Sequence, residues 1–425
     1  LKTAFRLFFY IILVTVTAEA QNLTKSPYSI LGIGEIHYAG TSQQSAMGQV
    51  GQGLRRSAYV NDYNPASYSG LKYTVIDGGM LFSSGQLEKG DRSTEIDNFS
   101  FAYFSIAMPL SLKRNIGLGL GLSPYSSSGY NVSTLVTYPD YVGVTEMRGS
   151  GGISKFHVGV GAQLFNKLSA GVTANYLFGQ IIREQKLIVP TRYNKTNLAE
   201  TRVRNANDFQ FEVGLQFHDT FSRGRRKDQY QFVAGLTYVF GTNTSASETY
   251  YMRSLGVGGT LVAVDTILYD NSKKGEIKLP MTIRFGVGLE KKDNWQIAAD
   301  VNYTQWSAYR SFGVTDSLHD NIGVSVGGSY IPNSSDFKNY FNRVEYRAGA
   351  RYDNGYLTLN GKNISTYALS AGMGMPLGKT RSKLNLTFEY MVRGTTSNNL
   401  IREEYFRFIV GLNFTDKWFQ RYKYD

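Results

Sequence analysis

The chain has no cysteine among its 425 residues, so nothing in its fold rests on disulfides or on thiolate-held metal. It has four histidines, His37, His157, His218 and His319, and none has metal-ligand spacing such as H-E-x-x-H. Isolated polar histidines are the plain reading. Residues 374–380 resemble a phosphate loop, but Met373 stands where that loop needs glycine. No G-x-S-x-G elbow occurs either. These absences predict no catalytic residues, no metal and no cofactor, and argue against an enzyme. Long hydrophobic runs are missing too: after residue 20 no stretch reaches the ~18 apolar residues of a spanning helix. The formal net charge is +12, yet no basic run interleaved with aromatics stands out. Nucleic acid is therefore not an expected partner, whereas an anionic membrane surface is.

What is present is aromatic and glycine-rich: 31 Tyr, 25 Phe and 45 Gly, with a mean hydropathy below zero. That mixture suits a membrane β-barrel, whose hydrophobicity is diluted by alternation. The first residues carry Lys2 and Arg6, an apolar run over 7–16, and Ala18-Glu19-Ala20. This pattern predicts a secretory signal peptide over 1–20, cleaved after Ala20. At the other end, Phe406, Phe408, Val410, Leu412 and Phe414 alternate with Tyr405, Arg407, Ile409, Gly411 and Asn413. One face is oily and the other mixed, because successive side chains of a strand point to opposite sides. In a soluble sandwich the oily face would look into a core; in an outer-membrane barrel it looks at lipid.

Residues 21–70 show no period-2 alternation and close on Asn64-Pro65-Ala66, where Pro65 biases Asn64 to an extended conformation. Fourteen alternating segments follow, at about 72–86, 97–110, 114–127, 153–166, 168–185, 203–218, 229–247, 279–291, 294–309, 321–331, 343–354, 365–377, 382–394 and 402–414. Short connectors (166–167, 291–293, 378–381) alternate with long ones (128–152, 187–201, 248–278, 356–365). Short turns on one side and long loops on the other mark an outer-membrane barrel. The prediction is an all-β fold: an antiparallel transmembrane β-barrel of about 14 strands over 71–415. An N-terminal periplasmic plug, or hatch, over 21–70 lies inside it, and a short periplasmic tail covers 416–425.

The predicted lumen carries both signs: Asp77, Glu212, Arg284, Asp300, Arg343, Glu345, Arg347, Arg351, Glu389 and Arg407. Of these, Arg343, Glu345, Arg347, Arg351, Glu389 and Arg407 are the candidate lumen charges. They read either as a network pairing charges across the interior or as a seat for the acid head of an amphipathic ligand. His157 and His218 read as lumen-facing. The third segment is unusual, because Gly117, Gly119 and Gly121 leave its inward face without side chains. Such a strand makes room for a plug or marks a wall that opens sideways.

These residues carry a resemblance. The pieces are residues 26–34 (SPYSILGIG), 46–51 (AMGQVG), 64–68 (NPASY) and 122–130 (LSPYSSSGY), with the tail Asp416-Lys417-Trp418-Phe419. Together the chain resembles the FadL/TodX family of outer-membrane transporters for hydrophobic compounds, in its Bacteroidota branch. The resemblance implies a Gram-negative outer membrane, with lipid and lipopolysaccharide around the wall. It implies diffusion of a hydrophobic, fatty-acid-like molecule past the plug, with a lateral exit at the third strand. Asn64, Pro65 and Ala66 would be the plug's closing motif. The alternative is an accessory barrel subunit of an outer-membrane protein secretion or assembly complex. A non-selective porin fits less well, since some fifty residues of plug would fill the lumen.

Overall fold

The computed structural model describes residues 24–37, 40–193, 195–223, 228–256, 262–316, 318–336, 338–378 and 380–418. The expected signal peptide and the tail beyond Trp418 lie outside the described residues. The strands are β1 (Thr74–Lys89), β2 (Arg92–Ser111), β3 (Ile116–Ser127), β4 (Tyr130–Thr137), β5 (Val142–Phe165) and β6 (Leu168–Ile188). Then come β7 (Asn197–Arg223), β8 (Asp228–Val239), β9 (Thr242–Leu255), β10 (Ala263–Leu279), β11 (Thr282–Lys291) and β12 (Trp295–Thr304). The last are β13 (Asn321–Tyr330), β14 (Glu345–Asp353), β15 (Thr366–Pro376), β16 (Lys383–Gly394) and β17 (Arg402–Asp416).

Neighbouring wall strands pair antiparallel, and β17 closes on β1 from Thr74↔Asp416 to Glu88↔Arg402. Three wall strands are each made of two pieces, and the first is β3 with β4, which lie in turn beside 152–162 and 142–149 of β5. β8 pairs with the lower part of β7, and β9 carries on beside its upper part, 197–206. β10 likewise runs on into β11 past Pro280, which cannot donate to a ladder. With β3 and β4, β8 and β9, and β10 and β11 each counted as one, this makes a closed barrel of fourteen wall strands. No helix of the described residues is long and apolar enough to cross a membrane.

Alternation in sequence becomes facing in the wall. On β14, Glu345 and Arg347 are buried inside while Tyr346 is exposed outside. On β17, Phe406 points out while Tyr405 and Asn413 are buried. One extra residue on β2 breaks the pattern, since Gly79 pairs with Tyr103 and Met80 with Phe101. A bulge of this kind shifts the phase of the strand beyond it. Phe101 therefore faces outward at 39% exposed, and Tyr103 faces inward at 3%.

The segments read as long connectors over 128–152 and 248–278 are largely strand. β4 folds back on the first part of β5, and β9 and β10 form a hairpin. These stretches reach past the length a bilayer needs, about 9–11 residues per strand. Water on both faces removes the pressure to alternate, and that explains the difference. The wall is thus uneven, with 27 residues in β7 and ten in β12.

Residues 24–71 meet the inward faces of strands all round the ring. A one-turn 3-10 helix (Pro27–Ile30) and a two-residue strand, Glu35–Ile36, lie toward the long-loop end, where Glu35–Ile36 pairs with Ser126 and Ser127 of β3. A short helix (Ser42–Ser45) and a second 3-10 helix (Pro65–Gly70) lie deeper. Toward the long-loop end Ile33, Leu177, Ile181, Ile277, Trp306 and Tyr309 belong to one buried apolar cluster.

Candidate functional site

The closing motif is built from its own chemistry. The Asn64 side chain accepts from the Ala66 N–H at 3.0 Å and so caps the 3-10 helix, with Pro65 at its first position. Its amide donates to the Leu215 carbonyl of β7 at 3.1 Å. Ala66 is fully buried, and the wall beside the motif is glycine. A Cβ on Gly171 would stand 2.4 Å from the Pro65 carbonyl carbon, and one on Gly161 2.2 Å from the Pro65 oxygen. Residues Gly51 and Gln52 are held by Asp300, which accepts their two N–H groups at 2.6 and 2.9 Å.

Gly117, Gly119 and Gly121 do face the interior, and what meets the first two is Tyr68. A Cβ on Gly117 would lie 2.0 Å from the Tyr68 carbonyl oxygen, and one on Gly119 2.3 Å from its ring. A Cβ on Gly121 would meet His157 and Ser105 instead. Through these glycines β3 is paired on both sides, with β2 and with β5. Gly117 and Gly119 form a socket for Tyr68; the ladder with β2 ends at Phe104↔Leu122, and above it Ser126 and Ser127 pair with Ile36 and Glu35 instead. His157 faces inward as expected, 3.3 Å from Asp62, which also accepts from Ser105 at 2.5 Å and Tyr68 at 2.9 Å. Here serine and histidine both address the carboxylate, which is not the relay of a nucleophile.

Five of the six candidate lumen charges gather into two clusters, and each cluster is completed by the N-terminal segment. In the first, Glu345 accepts from Arg347 at 2.8 Å, Lys383 at 2.7 Å, Arg56 at 2.6 Å and Tyr59 at 2.7 Å. In the second, Arg351 and Arg407 face Glu389 at 3.0 and 3.5 Å. Arg407 and Arg393 also meet Glu35 at 3.2 and 2.7 Å, and Ser26 donates to Glu403 at 2.5 Å. Arg343 is the exception. It ends the 3-10 turn Tyr340–Arg343 before β14 begins and lies over the Tyr340 ring at 5.3 Å, outside both clusters. Sequence reasoning missed Glu35 and Arg56; the signal available was that residues 21–70 contain only Glu35 and Asp62 as acids. Charges buried this way hold geometry well only while every partner is present.

Between the segment and the long-loop end lies a cavity of about 170 Å³, lined by polar and apolar side chains together. Glu35, His37, Tyr63, Arg284, Asp300 and Arg351 are among the residues lining it. Burial drops His37 to about 4, against the pull of Glu35. Burial pushes Glu35 up, but the Arg393 and Arg407 guanidiniums outweigh it and hold the carboxyl well below its usual range. A released His37 takes a proton near 6.5, while the docked one resists until about 4. Docking is therefore complete above the higher value and weakens as pH falls through that window, by about 2 kcal/mol at pH 5. The Glu35 contribution, present above its ordinary 4.5, persists below it. The ratio of exchange rates over 27–36 at pH 5 and pH 7, after correction for intrinsic rates, should accordingly be about tenfold or more larger in the parent protein than in His37→Asn. Equal ratios in the two proteins would contradict the assignment to His37.

Among the described residues no group of three or more His, Asp or Glu side chains could hold a metal ion. A family model described as BamG matches residues 2–425. No curated protein matches the chain. Among solved structures it is similar to a Pseudomonas aeruginosa FadL homologue, with 10% identity and a TM-score of 0.58 over 88% of this chain and 98% of that one. It is also similar to the Pseudomonas putida toluene transporter TodX, with 14% identity and a TM-score of 0.57 over 90% and 99%. The Ralstonia pickettii toluene transporter TbuX matches at 12% identity and a TM-score of 0.56 over 88% and 98%. At these identities the shared property is the fold.

Proposed function

The chain belongs to the BamG family, and from that membership and its packed interior we propose that it is a barrel subunit of an outer-membrane protein secretion or assembly complex. In this reading residues 1–20 direct export to a Gram-negative outer membrane, 21–70 act as the plug, 71–415 as the barrel and 416–425 as a periplasmic tail. Lipid and lipopolysaccharide surround the outward aromatic faces. The observation that carries the proposal is the state of the lumen. Its charges are paired with Glu35 and Arg56 of the plug, Gly117 and Gly119 are covered by Tyr68, and the cavity toward the long-loop end holds about 170 Å³ among charged as well as apolar side chains. A conduit for oily solutes needs the opposite, a continuous apolar lining. The name BamG hints at a complex as well.

A second reading keeps transport of hydrophobic, fatty-acid-like molecules, favoured by the fold shared with TodX and TbuX, both described as toluene transporters. It requires Tyr68 to leave Gly117 and Gly119; above Leu122 the third strand pairs with Glu35–Ile36 and not with β2, so a lateral exit there would pass that two-residue strand. Native mass spectrometry of the protein released from its own membrane in mild detergent separates the two. Whole protein chains in fixed stoichiometry are expected. A monomer carrying a few hundred daltons (order of magnitude of one lipid chain) of apolar compound would reverse the order of the readings.

A further inference from the structure

β10 is the upper edge of a tall wall beside a short one. Along one side it pairs with β9, from Leu255↔Ala263 to Thr242↔Leu279. On its other side it meets only Arg310–Ser311, at Lys278 and Ile277, and the Phe312 N–H at the Glu276 carbonyl. Over residues 263–274 no other strand pairs with it among the described residues, and every one of these residues is exposed. The strand contains no proline, and it presents Val264 at 72% and Ile267 at 54% exposed to solvent, with Leu268 and Tyr269 beside them.

Such an edge offers a row of unpaired N–H and C=O groups, which proteins usually cover or blunt. Three irregularities, at Asn271–Ser272, Ile267 and Val264, do alter its twist, yet the backbone stays open and the apolar side chains stay in water. We propose that residues 263–274 of β10 form a docking edge for an extended segment of a second, different polypeptide outside the membrane, which adds as one more strand. β-Strand addition draws affinity from main-chain bonds and selects its partner by side chains.

The occupant is not a second copy of this chain. Two copies in one membrane share one orientation and are related by an axis along the membrane normal. With strands tilted by about 35–45°, their β10 edges would cross at roughly 70–90° instead of running antiparallel. An isologous parallel pair fails too, because parallel bonding is not two-fold symmetric. The two ends of the edge state the partner's charge pattern. Asp265 and Lys274 are exposed and make no ion pair among the described residues. The added strand carries a base beside Asp265, an acid beside Lys274, and β-branched or aromatic residues between them, opposite Val264 to Tyr269.

The inference deepens the subunit reading and rests on it. It is tested by amide hydrogen exchange of β10 in three preparations: the native outer membrane, purified protein in detergent, and purified protein in vesicles of phospholipid and lipopolysaccharide. Expected is exchange over 263–274 about tenfold or more slower in the native membrane alone. The double substitution Asp265→Lys with Lys274→Asp should abolish that protection while the barrel still migrates as a folded species on a gel. Equal exchange in all three preparations overturns the proposal. So does protection in the vesicles, which would mean lipid, or protection in detergent that grows with protein concentration, which would mean self-association. Co-purifying chains with an unprotected edge would leave the subunit reading standing and remove this one.

Discussion

Deleting residues 24–70 should turn an electrically closed barrel into an open one. In planar bilayers the parent protein is expected to show no steady conductance, and the deletion a stable opening larger by about tenfold or more, as a fourteen-strand lumen emptied of its filling allows. The wall keeps its own ladder, including closure of β17 on β1, so the deletion removes the filling and not the ring. Gly161→Leu is the companion variant. Its side chain would be built against the Pro65 oxygen and Tyr68, so it should displace the segment without shortening the chain. A silent trace from both variants, each confirmed as folded by heat-modifiable migration, would mean that the segment does not seal the barrel.

Glu345→Gln should be among the most destabilising single changes in the interior. The carboxylate is 1% exposed and is shared by Arg56, Arg347 and Lys383. Removing its charge takes the carboxylate partner from Arg347 and Lys383 and leaves Arg56 with Glu290, and breaking a buried pair in this way costs about 3–5 kcal/mol. The loss would be read as a lower urea midpoint in lipid vesicles and as faster exchange around residues 55–59. Arg56 bridges plug and wall, and it also meets Glu290 at 3.1 Å. Glu345→Gln combined with Arg56→Met should therefore cost less than the sum of the two single changes. A shift under about 1 kcal/mol for Glu345→Gln would show the cluster to be bathed in water.

Where one face of a strand meets lipid, its sequence was readable. β6, β14 and β16 alternate cleanly because each outward residue is chosen for hydrocarbon and each inward one for the lumen. That constraint ends above the bilayer, so the β4–β5 and β9–β10 hairpins looked like loops. The bulge at Ala102 was likewise invisible: a single extra residue sends Phe101 and Tyr103 to opposite sides, and no local signal marks it. The wall charges were found because charge in an apolar pattern is conspicuous. Their partners Glu35 and Arg56 were not, because they sit in a segment without periodicity, where only the folded path brings them to Arg393 and Glu290. Gly117, Gly119 and Gly121 stand out in the sequence as a face, but Tyr68, which meets Gly117 and Gly119, lies 49 residues or more upstream, beyond any local pattern.

The bond between Ser26 and Glu403 joins positions 377 residues apart, and this sets an order of events during biogenesis. Residues 24–71 are made first, yet their upper half has no complete partner until the last strand arrives. Tyr28 needs Ile401, Ser26 needs Glu403, and Glu35 needs Arg407 as well as Arg393. Contacts this distant in the chain form late and slowly. A chain cut short before β17 therefore leaves the segment undocked, with its carboxylate and hydroxyls open to water and to proteases. Seating of residues 24–36 is a chemical signal that the ring is complete.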